Sequence, residues 1–424
     1  MSNRYKYPLR VVYEGRTDGV THGSWALVNA RLLPYLERQP GLAVWGVDPG
    51  GAPDLGAGPA DVWLSHYYPG LEPARTFVPP TTEGRRWVVW VAWERGPVPL
   101  GWEDAWRAGG VAEVWACSAH TRRLVLASTG LDPARVRVVP YGVDPRVFAP
   151  RGATWPKESD AFRVLYVGGA IPRKGFDLVV EAYGRAFREG EGARLVLKLQ
   201  GLRSFYRDAP PMPTPGRGDV QVLDGDAYDD EQMAALYRSV DVVCQPYRDE
   251  GFCLPLLEAA ATGKPVVYPA HGPAPEYLSP DAGIAVPVRG GEPAVDDLAR
   301  ALRFLWRHPG QRTALGLAGV ADAALLDWGA VAGRVAEALA RVAGDGRPGD
   351  AFSPPASGAG ESARRAGRGQ VGGVDPQGVG QHPHPDAVDP ERYPVALDHH
   401  VGEEQEQPGQ DEQNRHGLPD EEDG

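Results

Sequence analysis

The feature that most constrains this chain is an alternation of short apolar runs with longer amphipathic stretches, gone through twice. In the first round the apolar runs are Arg10–Glu14, Leu42–Val47, Val62–Ser65, Trp87–Trp93, Val114–Cys117 and Val136–Val139, with a helix from about Ser24 to Glu37. In the second round they are Phe162–Val167, Leu195–Leu199, Val220–Leu223, Val240–Cys244, Pro265–Tyr268 and Gly283–Val286. Continuously apolar strands separated by helices require a parallel sheet covered on both faces. The expected class is therefore α/β, with a first domain over 1–150 and a second over 151–322. A Pro/Gly/charge-rich linker from Ala149 to Asp160 lies between them. After the second round, 323–344 is periodic around Leu325, Leu326, Val331, Val335, Ala338 and Leu339, and reads as a helix crossing back to the first domain.

From about Gly344 the pattern ends. Residues 345–424 hold one Phe, one Tyr, two Leu and no Ile, Met or Trp. Such a segment cannot bury enough apolar surface to offset its ordering entropy, and it reads as a disordered acidic tail. It carries 6 Arg against 17 Asp and Glu, so nearly all of the chain's net charge of −12 sits there. The remaining body is close to neutral, which argues against nucleic acid as a partner. Three cysteines, Cys117, Cys244 and Cys253, give neither a disulfide framework nor zinc-ligand spacing and indicate a reducing compartment. No apolar run approaches the ~18 residues of a membrane span, and Arg10 and Glu14 bracket the apolar run nearest the N-terminus. The expectation is a cytoplasmic protein, associated with a membrane at most peripherally.

Two stretches carry chemistry. In Asp249-Glu250-Gly251-Phe252-Cys253-Leu254-Pro255-Leu256-Leu257-Glu258, a loop feeds a helix with Pro255 suited to its first residue. The free N–H groups and positive dipole end of that helix would form an anion site suited to phosphate. Glu258, placed in the first turn, could accept two hydrogen bonds from a vicinal diol such as ribose. Glu250 could reach hydroxyls beyond the phosphate. Alternatively, Glu250 is a solvated loop acid and Glu258 merely favours the helix dipole. The second stretch is Gly168-Gly169-Ala170-Ile171-Pro172-Arg173-Lys174-Gly175, in which glycines permit close backbone approach and two cations complement a diphosphate. It lacks the Gly-Lys-Ser/Thr of a Walker A loop. Both loops fall at the carboxyl ends of parallel strands, where open α/β sheets bind ligands.

With these motifs, residues 8 to 343 resemble the retaining glycosyltransferases of family 4. Further marks are Leu236-Tyr237-Arg238-Ser239-Val240-Asp241-Val242, Gly263-Lys264-Pro265-Val266 and Val139-Pro140-Tyr141-Gly142-Val143-Asp144. The resemblance implies the GT-B fold, two Rossmann-like domains whose parallel sheets face each other across a cleft. It implies a nucleotide-sugar donor and an unidentified carbohydrate or lipid-linked acceptor, with no cofactor and no metal. Gly168, Gly169, Arg173 and Lys174 would hold the donor diphosphate, and Glu258 the ribose. Glu250, with the main chain of Gly251, Phe252, Cys253 and Leu254, would hold the sugar. The loop from Gly15 through His22 to Gly23 would lie near the phosphate and acceptor.

Three positions depart from the family pattern. Gly169 stands where an arginine is common, Cys253 where a glycine is common, and Glu94 where many members place a histidine facing the sugar. Glu94 is accordingly a candidate acid/base or hydroxyl ligand, or an ordinary strand-end carboxylate. His66 is a second candidate near the cleft, or a structural histidine. Asp224-Gly225-Asp226 mimics a metal-binding Asp-x-Asp but reads as a turn. The rival functions are an inactive sugar-nucleotide-binding or scaffold protein, and an epimerase or phosphorylase on the same fold. Of the tryptophans Trp25, Trp87, Trp90, Trp93, Trp102 and Trp106, most are expected in the core rather than as sugar-stacking faces.

Overall fold

A computed structural model describes residues 7–56, 58–70, 76–80, 86–157, 159–199, 217–223 and 228–344, with 19–22 described by backbone alone. The Asp224-Gly225-Asp226 turn and the 345–424 tail lie outside the described residues.

The first domain contains β1 (Leu9–Glu14), α1 (Gly19–Leu36), β2 (Leu42–Val47), β3 (Val62–Ser65), β4 (Arg86–Val91), α2 (Leu100–Ala108), β5 (Glu113–Ala116), α3 (Ala119–Ser128) and β6 (Val136–Val138). Its six strands are all parallel, in the order β2-β1-β3-β4-β5-β6. Consecutive residues Val11, Val12 and Tyr13 of β1 are all fully buried, as a strand covered on both faces requires. α1 starts earlier than expected but is broken at Gly23, whose φ of +72° and ψ of −160° are non-helical. Trp87, Trp90, Trp102 and Trp106 are core residues, while Trp25 and Trp93 are only partly buried.

The second domain contains β7 (Phe162–Gly168), α4 (Phe176–Ala186), β8 (Ala193–Leu199), β9 (Val220–Leu223), α5 (Asp230–Arg238), β10 (Val242–Cys244), α6 (Leu254–Ala261), β11 (Val266–Pro269), α7 (Ala274–Tyr277) and β12 (Gly283–Val286). A short antiparallel ribbon, β13 (Val288–Arg289) with β14 (Glu292–Pro293), precedes α8 (Val295–Arg307) and α9 (Pro309–Ala324). The strand order is β12-β11-β10-β7-β8-β9, so winding reverses between β7 and β10. That reversal opens a crevice at the carboxyl ends of these two strands, and it is there that an open sheet receives a ligand.

The last helix, α10 (Trp328–Gly344), packs on α1 and β3 of the first domain. Its entry is pinned by Val143, whose N–H donates to Leu326 O at 2.9 Å and whose carbonyl accepts from Trp328 N at 3.1 Å. One apolar core runs between the domains through Tyr141 and Phe252, whose rings lie 5.2 Å apart.

Candidate active site

The loops after β7 and β10 meet backbone to backbone in the crevice. Gly175 has φ +71°, and a Cβ there would lie 1.9 Å from Pro246 O, so no other residue fits. The carbonyl of Arg173 accepts from Arg248 N at 2.8 Å and Asp249 N at 3.3 Å, stitching one loop to the other. Arg248 then clamps the assembly with a two-bond fork on Asp177 at 2.7 and 2.8 Å and a bond to Pro172 O. Its own carbonyl lies 2.7 Å from His271 Nε2, and its Nε donates to Glu292 Oε2 at 2.7 Å.

This framework sets Arg173 and Lys174 against two carboxylates. Lys174 Nζ is ion-paired with Glu250 Oε1. Arg173 Nη1 lies 3.5 Å from Glu250 Oε2, and its Nη2 lies 3.4 Å from Glu94 Oε1. The four groups form a ring of alternating charge that draws on both domains, Glu94 following β4 of the first. Burial works to raise the Glu250 carboxyl, but Lys174 and Arg173 beside it hold it below the ordinary carboxylate value. For Glu94 burial wins, and its carboxyl is raised despite Arg173. A ring of two cations and two anions is formally neutral, and one of its acids is disposed to take up a proton when further negative charge arrives.

The chain then enters α6 through Cys253, which has φ +66° and is the sole non-glycine residue with positive φ among the described residues. A left-handed cap explains why glycine suits this position. The carbonyl of Gly251 accepts from Ser118 Oγ of the first domain at 2.7 Å. Tyr277 Oη donates to the carbonyls of Phe252 and Cys253 at 2.9 and 3.0 Å. A Cβ on Gly251 would press on Trp93 N of the first domain at 3.3 Å, tighter than an ordinary van der Waals contact. Leu254 is the first residue of α6 and Pro255 the second.

Two sequence expectations require correction. Glu258 is the fifth residue of α6, in its second turn rather than its first, and is 5% exposed. Each of its oxygens already accepts one hydrogen bond: Arg31 Nη1 donates to Oε1 at 2.7 Å and Tyr237 Oη to Oε2 at 2.8 Å. His66 does not face the cleft. It is fully buried, stacked against Trp25 at 5.0 Å, with Nδ1 paired to Asn29 and Nε2 2.8 Å from Tyr141 Oη. Burial lowers its pKa to about 3, so it is a neutral core residue. Gly15 belongs to the same knot, since a Cβ there would meet Asn29 Nδ2 at 2.4 Å and His66 O at 2.6 Å. Gly23 has open space around it, and the side chain of His22 is outside what is described.

Residues 153–319, the stretch that holds both loops, match the family model described as glycosyl transferases group 1. The chain carries a group 1 glycosyltransferase domain. The MMP alpha-(1->4)-mannosyltransferase of Mycolicibacterium hassiacum is 31% identical over 246 residues, 55% of this chain and 56% of that protein. The D-inositol 3-phosphate glycosyltransferase of Kineococcus radiotolerans is 33% identical over 242 residues, 53% and 56% of the respective chains. The alignments thus span little more than half the length of these relatives. A glycosyltransferase structure from Rickettsia africae superposes with a TM-score of 0.60 at 12% identity, covering 80% of this chain and all of that one. Anabaena HepE, solved in complex with UDP and glucose, superposes with a TM-score of 0.56 at 15% identity over 78% and 99%. The two-sheet architecture is therefore the GT-B fold.

The structure brings Arg173, Lys174 and Glu250 of the group 1 domain together with Glu94 of the first domain, and pairs Glu258 instead with Arg31 and Tyr237. Sequence reasoning missed the residues that reach between domains: Arg31, and Glu276, which accepts from Ala119 N and His120 N at 2.6 Å each. An arginine on a helix face and a glutamate in a four-residue helix carry no local signal. Tyr237 and Arg248 lay in or beside quoted motifs, but their partners are distant in sequence.

Proposed function

We propose that this protein transfers a sugar from a nucleotide-diphosphate sugar to a carbohydrate or lipid-linked acceptor, with retention at the anomeric carbon and without a metal ion. The observation that carries the reading is the ring of Arg173, Lys174, Glu250 and Glu94 at the winding reversal of the second sheet, beside the N-terminus of α6. In the reaction the bond from the anomeric carbon to the β-phosphate oxygen breaks and a bond to the acceptor oxygen forms on the same face. The acceptor proton passes to the leaving phosphate. Charge accumulates on that phosphate in the transition state, and Arg173, Lys174 and the positive dipole end of α6 are fixed to meet it without reorganisation. Glu250, kept ionised by its two cations, accepts from sugar hydroxyls as the ring flattens. Glu94, with its raised carboxyl, donates to the donor sugar or phosphate in its protonated form.

The supporting relatives are named for two different transfers, which fits an acceptor choice made outside the loops that would hold the donor. No helix among the described residues is long and apolar enough to cross a membrane. The test is a binding screen of the full chain against UDP-, GDP-, ADP- and dTDP-sugars, followed by donor turnover in excess EDTA and NMR of the product anomer. Turnover that survives EDTA and yields the donor's anomeric configuration supports the reading. Binding without turnover of any donor would instead support the inactive binder. Turnover abolished by EDTA and restored by Mn²⁺ would remove the metal-independent mechanism.

A further inference from the structure

Resting on the reading of Glu258 as a donor-site carboxylate, we propose that Arg31 of the first domain is a positioning residue for the nucleotide. It orients Glu258 from across the domain boundary and so makes ribose binding depend on the contact between domains. Arg31 lies on α1, and its fork grips Asp230 of α5 at 2.6 and 3.1 Å while its remaining Nη1 reaches Glu258 of α6 at 2.7 Å. The guanidinium carbon sits 5.4 Å from the centre of the Phe148 ring, against the segment that joins the domains. Its side chain is 10% exposed and that of Glu258 is 6% exposed. One buried cation from the first domain thus holds two carboxylates on two helices of the second.

The consequence for a diol follows from counting lone pairs. An ionised carboxylate offers about four acceptor sites. Arg31 takes one on Oε1 and Tyr237 one on Oε2, which leaves one site on each oxygen for two adjacent hydroxyls. The same two bonds fix the carboxylate plane. Without Arg31, Tyr237 alone would orient it, and a buried anion would lose its countercharge. A ribose is neutral and cannot replace that charge, so displacing Arg31 is the costlier route and retaining it the cheaper one. Lysine would not substitute, because a point charge cannot hold Asp230 with a fork and reach Glu258 at once.

Two probes separate this role from a general structural one. A nucleoside diphosphate uses both the Arg173/Lys174 loop and Glu258, whereas inorganic pyrophosphate uses the loop alone. With the full chain and isothermal calorimetry, Arg31→Ala should weaken whichever of the ribonucleotides UDP, GDP and ADP binds the wild type best by about 10- to 100-fold, the size of a lost charged hydrogen-bond partner. Pyrophosphate affinity should change less than about twofold. Sugar-nucleotide turnover should show KM rising with little change in kcat. Adding Arg31→Ala to Glu258→Ala should cost less than about threefold more, since the residue acts through Glu258. Asp230→Asn, at a carboxylate one-third exposed and so tolerant of change, loosens the fork and should give a smaller loss with the same pyrophosphate indifference. It carries the test if Arg31→Ala fails to fold. Equal losses for nucleotide and pyrophosphate, or additive losses in the double variant, would overturn the proposal while leaving the donor-site reading intact. A wild type that binds none of UDP, GDP and ADP would overturn the reading of Glu258 as a ribose site, and this proposal with it.

Discussion

Glu250→Gln should push binding and turnover in opposite directions. In the wild type Glu250 neutralises the two cations assigned to the diphosphate: it pairs with Lys174 and sits 3.5 Å from Arg173. Removing its charge while keeping its shape takes the four-charge ring from formally neutral to +1. Arg173 and Lys174 are each about a quarter exposed, so solvent screens the gain and it is worth at most ~1 kcal/mol. A free nucleoside diphosphate should therefore bind the variant up to about fivefold tighter. Turnover should fall, because a charged acceptor for sugar hydroxyls is worth ~1.5–3 kcal/mol, about 10- to 100-fold in kcat. Stability adds a third reading. The Glu250 carboxyl is held below its ordinary value, so its contribution is present above the unfolded carboxyl range and is lost as pH falls through the folded value. Wild type should accordingly melt higher than the variant at pH 7, and the gap should close under acid conditions. Calorimetry with the free nucleotide, steady-state kinetics with the sugar nucleotide and melting curves across pH read the three effects. Weaker nucleotide binding together with unchanged kcat would refute the assignment of Glu250 to the sugar and of its cations to the diphosphate.

Three other outcomes follow from the same geometry. Glu94→Gln should raise the melting temperature at neutral pH, since its ionised form is penalised by burial, and the gain should vanish below the ordinary carboxyl range; kcat should fall if the protonated carboxyl donates to substrate. Gly175→Ala should cost ~2–3 kcal/mol or more, measured by denaturant unfolding, because its Cβ meets a backbone carbonyl at 1.9 Å and φ is positive. His66→Ala should destabilise by ~2–4 kcal/mol through the unpaired Tyr141 hydroxyl and the cavity between Trp25 and Trp90, while leaving the calorimetric nucleotide affinity of the folded protein near that of the wild type.

The sequence by itself determined the parts of this protein that depend on local pattern. Twelve strands read as apolar runs because a parallel sheet covered on both faces imposes a nearly continuous signal, and the loops after β7 and β10 read as glycine, charge and helix-start chemistry at strand ends. The winding reversal between β7 and β10, and the closeness of Glu94 to Arg173, had no such signal, since each depends on which strands become neighbours. His66 illustrates the limit in one direction: beside Ser65 it had the sequence context of a cleft residue, and only the packing of Trp25, Trp90 and Tyr141 around it placed it in the core. Glu258 illustrates it in the other. Its residue type and spacing were legible, but that a buried cation holds its Oε1 was decided by Arg31, 227 residues away in the chain. Periodicity is set by contacts within one element, whereas the partners of a buried charge are set by how two domains meet.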